Sequence, residues 1–377
     1  MNLDFSEEQE MLRKTARDFL ANQFPMTMVR EMLRDEKGYT IDLWHNIADL
    51  GWLGLPFPEE YGGGGGSFLD LVVLIEEMGR GCFPDPFFST VVLGGLTILD
   101  AGTKQQKKEF LPKIAAGELI ITLALTEPDV SYEPYGVRLK AAADEGDYIL
   151  KGEKLFVPDA HTADWLLCVA RTRQARIAGN GKTVFLVDAK SPGISHTLLK
   201  TIAGEKQCRV VFDNVRVPRN RIIGKLDQGW PIVRRALERA TVGKCAEMLG
   251  GAQRVLEMAV AYAKDRQQFG RPIGSFQAIQ HHAANMTIDV DGMRLTTYEA
   301  AWMLSEGIPC AKEVAMAKAW ASDAYKRIAL LGVKIHGGVG YMQDHDITLY
   351  FKRANAAQAA FGNADFHREM VSRELGL

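Results

Sequence analysis

ITLALT (121–126), DYILKGEKLFV (147–157), WLLCVART (165–172), TVFLVDA (183–189) and CRVVFDNVRV (208–217) are short runs rich in Val, Ile, Leu and Phe. Gly, Pro, Asp and Asn separate them, so they read as the strands of one β unit of about 100 residues. Lys151-Gly152 divides two alternating runs and predicts a hairpin turn there. Val217-Pro218 marks the exit from the unit.

On either side the apolar spacing becomes helical. Ser6 stands before Glu7 and Glu8 and an apolar-periodic run through Met11, Ala16, Phe19 and Leu20, which makes Ser6 an N-cap. Helices are expected over 41–50, ending at Gly51, through Leu69, Val72, Val73, Glu76 and Met78, and over 105–116. LPFPEEYGGGGGS (55–67) interrupts them, because five consecutive glycines cannot continue a helix. Downstream, Met248, Leu249, Ala252, Val255, Leu256, Ala259 and Ala263 share one helical face in a long helix reaching Arg266. Further helices are expected over 276–304, 311–332 and 344–374. Helices, then strands, then helices imply an α+β chain. Its expected parts are an N-terminal helical domain (1–120), a middle β domain (121–227) and a C-terminal four-helix bundle (228–377).

With 377 residues the chain is too long for one simple core. A net charge of −2 leaves no basic excess for nucleic acid or a membrane surface. The acidic N-terminus does not read as a secretory signal or an organelle transit peptide. No apolar run of about 18 residues suggests a membrane span. Together these place the chain in the cytoplasm. Five scattered cysteines without a CxxC pair read as buried free thiols. His281, His282 and His367 do not make a metal set, and no metal is expected.

PEEYGG (58–63), LTEP (125–128), FDNVRVP (212–218), DRQQFGRPIGSFQAIQH (265–281) and IHGGVGY (335–341) occur in this order across the whole length. The series resembles the acyl-CoA dehydrogenase family. The resemblance implies FAD as cofactor, an acyl-CoA thioester as substrate, an electron-transfer flavoprotein as acceptor, and a homo- or hetero-oligomer, a tetramer built as a dimer of dimers. A pyrophosphate needs fixed cations or oriented backbone donors. By resemblance Arg266, with Phe269 beside it, and Gln277 reach FAD from a neighbouring subunit; taken alone, Arg266 is also a solvated helix-end cation. Gly337 and Gly338 open a GGVG run that lets backbone approach the adenosine end, and elsewhere such a run is only a turn. Lys334 stands where glutamine is common. Thr126 matches a threonine near the flavin pyrimidine edge, and Phe156 an aromatic that stacks near the ring.

The departures concern chemistry. DVSYEPYG (129–136) replaces a compact loop of small residues, and Pro158 stands where a hydroxyl is usual. Removing an α-proton beside a thioester requires a carboxylate in a desolvated pocket, while the β-hydrogen leaves as hydride to the flavin. Many members place a glutamate before a C-terminal glycine; here Phe361 precedes Gly362. Others use a Leu-Glu-Arg string on the long C-terminal helix. Leu237-Glu238-Arg239 supplies one, but two residues farther from Gln253, about 200° of helical rotation. Glu238 is therefore a candidate base or a solvated helix-start glutamate, and Asp85 in GCFPDPFF is a second candidate. FGNADFHREMVSREL (361–375) resembles chains that form one half of a two-subunit enzyme. Two readings stand: an active FAD-dependent acyl-CoA dehydrogenase, or a base-deficient FAD- and acyl-CoA-binding subunit of a heteromer. A relative with oxidase chemistry is a third.

Overall fold

The structure, a computed structural model, describes residues 5–84, 86–177 and 179–377. In chain order the helices before the sheet are α1 (Glu7–Gln23), α2 (Met26–Arg34), α3 (Ile41–Asp49), α4 (Phe68–Arg80), a π-helical segment (Phe88–Gly95), α5 (Leu96–Ala101) and α6 (Lys104–Ala115). The strands are β1 (Ile121–Ala124), β2 (Lys140–Asp144), β3 (Asp147–Pro158), β4 (Trp165–Arg171), β5 (Lys182–Asp188), β6 (Ile194–Leu199), β7 (Gln207–Val217) and β8 (Ile222–Ile223). After them come α7 (Trp230–Asp265), the ribbon β9 (Gln267–Gln268) and β10 (Arg271–Pro272), α8 (Gln277–Ser305), α9 (Ala311–His336), α10 (Asp346–Ala357) and α11 (Ala364–Glu374). The chain forms two compact units. One holds 32–66 and 84–240; the other holds 1–31, 67–83 and 241–377.

The first unit is built on the sheet, ordered β6-β7-β3-β2-β4-β5-β8, with β1 added parallel to β4. The expected strands are all present. The hairpin between β2 and β3 turns at Glu145-Gly146, with φ of 48° and 94°, and not at Lys151-Gly152. Two positive φ angles in a two-residue loop give the turn whose twist matches the strands. Lys151-Gly152 lies inside β3, where Gly152 has φ 145° and the β3–β7 register shifts. A second shift between Lys154 and Val157 leaves Leu155 and Phe156 out of that ladder, a bulge that redirects side chains.

The second unit is a helical bundle. Ser6 caps α1 in a capping box with Gln9. All seven periodic apolar residues of α7 are buried. Where α4 crosses α7, a Cβ on Gly250 would lie 1.8 Å from the Glu76 carbonyl oxygen, and one on Gly79 2.1 Å from that of Glu247; only glycine permits this backbone approach. Three buried or half-buried ion pairs peg the helices. Arg17 holds Glu77 with two bonds of 2.6 and 2.9 Å, Arg294 holds Glu76 at 2.9 Å, and Arg80 holds Glu257 at 2.8 Å.

Two helix limits differ from expectation. α9 passes through Gly332, whose missing side chain faces Val255 and Ile347; that glycine serves packing and does not stop the helix. The stretch expected as one helix over 344–374 is two, because Phe361 (φ 57°) and Gly362 (φ 100°) turn the chain and Asn363 caps α11. All five cysteines are buried thiols, none of them in a disulfide. Among the described residues no helix is long and apolar enough to cross a membrane.

Candidate functional site

In the sheet unit Thr126 lies just beyond β1. Its hydroxyl donates to the Leu155 carbonyl, and its own carbonyl accepts from Leu155 N at 2.8 Å. This two-way clasp fixes the bulge and presents Phe156, which has φ 55° and is 41% exposed. With its proton committed to Leu155, the Thr126 hydroxyl can accept a hydrogen bond from a ligand but not give one. Asp159, directly after β3, brings a carboxylate oxygen to 2.6 Å from Ser89 Oγ in the π-helical segment.

The altered loop after LTEP is ordered. Glu127 accepts from Arg138 N and Leu139 N at 3.0 Å, closing the segment 128–137 at its two ends. A Cβ on Gly136 would lie 2.6 Å from Ser131 Cβ. Asp129 pairs with Arg138 at 2.5 Å. Tyr135 is 68% exposed, so the departure from small residues places an aromatic on the loop's surface.

The other predicted cofactor residues gather at one end of the bundle unit. Arg266 follows the last residue of α7, and its carbonyl accepts from Ile273 N at 2.8 Å. Phe269 (φ 55°) and Gly270 (φ 77°) form the turn of the β9–β10 ribbon, with Phe269 92% exposed. Arg271 stacks on Phe276 at 4.2 Å, and Gln277 begins α8. The α8 N-terminus has no side-chain cap; Ile279 N and Gln280 N both bond to Phe276 O, which leaves the amides of Gln277 and Ala278 at the helix start as the donors a ligand would meet. Tyr262 of α7 and His336 of α9 stack at 4.5 Å, which brings the Gly337–Tyr341 turn to this end. Lys334 is exposed. Gly337 has φ 63°. A Cβ on Gly338 would meet nothing within 4 Å, so neither packing nor a positive φ within this chain requires glycine there. Burial holds the His336 imidazole below its ordinary pKa.

Glu238 lies on α7, half-buried, on the side of the helix opposite the buried Ala236 and Ala240, and 3.8 Å from Arg234. Asp85 lies outside the described residues. Phe361 stands at the turn between α10 and α11, and sequence reading missed what holds that turn. Lys318, fully buried, donates to Gly362 O at 2.8 Å, Gln358 O at 3.0 Å and Ser322 Oγ at 2.9 Å. His367 Nε2 donates to Phe361 O at 2.9 Å. Burial pushes Lys318 down to about 8; burial and then the Lys318 charge push His367 down to about 4. Lys318 was discoverable as a lysine four residues from Val314 and from Ser322, on the buried face of α9.

Three family descriptions match in turn: the N-terminal domain of acyl-CoA dehydrogenase over 6–118, its middle domain over 122–215 and its C-terminal domain over 227–376. The chain belongs to the acyl-CoA dehydrogenase family. It is 30% identical to the probable acyl-CoA dehydrogenase YngJ of Bacillus subtilis, covering all of both chains. It is 30% identical to the caffeyl-CoA reductase-Etf complex subunit CarC of Acetobacterium woodii, covering 98% of this chain and 99% of that one. A chain of the ChsE4-ChsE5 complex from Mycobacterium tuberculosis superposes with a TM-score of 0.91 at 30% identity, over 100% and 99% of the two chains. Members of the acyl-CoA dehydrogenase family are FAD-binding oxidoreductases acting on acyl-CoA, and FAD is the cofactor that membership brings.

Proposed function

We propose that this acyl-CoA dehydrogenase chain is the FAD-holding, base-deficient subunit of a heteromeric enzyme that dehydrogenates an acyl-CoA at Cα–Cβ. The observation that carries this reading is the Phe361 turn. Lys318 and His367 hold its backbone in place, and its side chain is apolar at the position where the family resemblance puts the glutamate that takes the α-proton. Glu238, the candidate on α7, points to the side of its helix opposite Ala236 and Ala240 and lies 3.8 Å from Arg234.

FAD, when bound, supplies the acceptor for the β-hydrogen. The chain's own contribution is binding and orientation. Arg266 and Lys334 offer cations and the uncapped α8 start offers donors to the pyrophosphate, with backbone bared at Gly337 and Gly338. Phe156 and the accepting lone pairs of Thr126 serve the ring. The α-proton goes to a carboxylate on a sister chain. Electrons leave to an electron-transfer flavoprotein, a reading supported by the relative named as part of a reductase-Etf complex. The two-chain Mycobacterium tuberculosis complex supports a heteromer. We place the assembly, a dimer of dimers, in the cytoplasm, in the degradation of a fatty acid or related lipid.

The test is purification with and without candidate sister chains. The chain alone should be yellow and should not bleach when an acyl-CoA is added without oxygen; the co-purified pair should bleach. Bleaching at equal rates in both preparations would refute base deficiency.

A further inference from the structure

Lys154 is fully buried, on the strand phase that also buries Tyr148 and Leu150. Its ammonium donates to Glu127 Oε1 at 2.7 Å and to the Leu125 carbonyl at 2.9 Å. The Glu127 carboxylate also takes the amides of Arg138 and Leu139. A second buried lysine, Lys182, donates to Val137 O at 3.1 Å, just before those amides. The Glu127–Lys154 bond therefore joins the residue after Thr126 to the residue before Leu155-Phe156, and the pair also holds Leu125, the residue before Thr126, and the Arg138–Leu139 amides just past the 128–137 loop. Burying two ions carries a desolvation cost that their attraction and hydrogen bonds must repay, and an apolar pair often packs as stably. An apolar pair would fill the space. It would not fix the directions of Leu125 O, Glu127 and the Arg138–Leu139 amides together.

We propose that Glu127 and Lys154 are positioning residues for the flavin. Their bond sets the clasp between Thr126 and Leu155, and through it the direction of Phe156 and the seating of the loop that bears Tyr135. The proposal rests on the assignment of Thr126 and Phe156 to the flavin ring.

The experiment uses the full chain loaded with FAD, alone and with its sister chain. Lys154→Met, Glu127→Gln and the double variant are compared with the parent in thermal unfolding, visible flavin spectrum, FAD dissociation constant and flavin midpoint potential. The double variant should remain folded, because the amide oxygen that Glu127→Gln introduces still accepts from Leu139 N and no unpaired ion is buried. Its flavin band should nevertheless shift, and its FAD dissociation constant should rise about tenfold or more. An unchanged spectrum, potential and FAD affinity in a folded double variant would overturn the proposal and leave the pair a packing feature only. Should Lys154→Met fail to fold, Glu127→Gln alone carries the same readouts. A parent chain that takes up no FAD would instead overturn the flavin assignment, a result distinct from equal binding by parent and variant.

Discussion

The ammonium of Lys318 lies 2.8 Å from the carbonyl oxygen of Gly362, the residue after Phe361. The three acceptors of Lys318 named above are all neutral. Burial lowers its pKa from 10.5 to about 8. Between those values the unfolded chain keeps a proton that the folded chain has released. Stability therefore rises with pH across that window, by about 3 kcal/mol in all. Chemical denaturation from pH 8 to 10.5 should show this gain in the parent and not in Lys318→Met.

His367 acts in the same sense at lower pH. Its folded pKa of about 4 lies below the ordinary 6.5. The unfolded chain takes the proton first on acidification, so the contribution is complete above pH 6.5 and is lost as pH falls towards 4. His367→Gln should flatten that acid limb by about 3 kcal/mol, measured as the pH dependence of unfolding relative to the parent.

Two glycines separate ligand approach from packing. Gly338→Ala adds a Cβ into open space and should change stability by less than about 1 kcal/mol, while weakening FAD binding through the lost close approach. Gly250→Ala drives a Cβ towards the Glu76 carbonyl and should abolish folding of the bundle unit. Paired thermal melts and FAD titrations read both. Equal FAD affinity in Gly338→Ala and parent would remove the turn from the cofactor site.

Arg266→Ala should lower FAD retention through gel filtration and leave the helix content unchanged, since Arg266 is exposed and follows the last residue of α7. Unchanged flavin content would return Arg266 to the role of a solvated helix-end cation.

Much of the fold was legible because α7 and the strand runs have strong periods, and because Ser6 stands before Glu7 and Glu8 at a helix start, where the structure closes a capping box with Gln9. The misplaced hairpin came from Gly152. Its positive φ marks an irregularity inside β3, and by composition that looks like a turn. The break at Phe361 was hidden because a left-handed phenylalanine is an unusual helix stop. Gly332 misled in the other sense, being a packing glycine. The cofactor residues at the bundle end were legible through resemblance, and Tyr262 stacking on His336 is the tertiary contact that gathers them. Lys154 and Lys318 were missed because a lysine ordinarily reads as solvated. Lys154 had one visible signal, its place in the inward phase of β3, which demands a buried partner.

The most direct test is anaerobic titration of the purified, FAD-loaded parent and Phe361→Glu with a panel of acyl-CoA thioesters, followed by flavin absorbance. The account predicts a flavin that stays oxidised in the parent alone, bleaches when the sister chain is present, and bleaches in Phe361→Glu without it. Rapid bleaching of the parent by itself, abolished by Glu238→Gln, would contradict it.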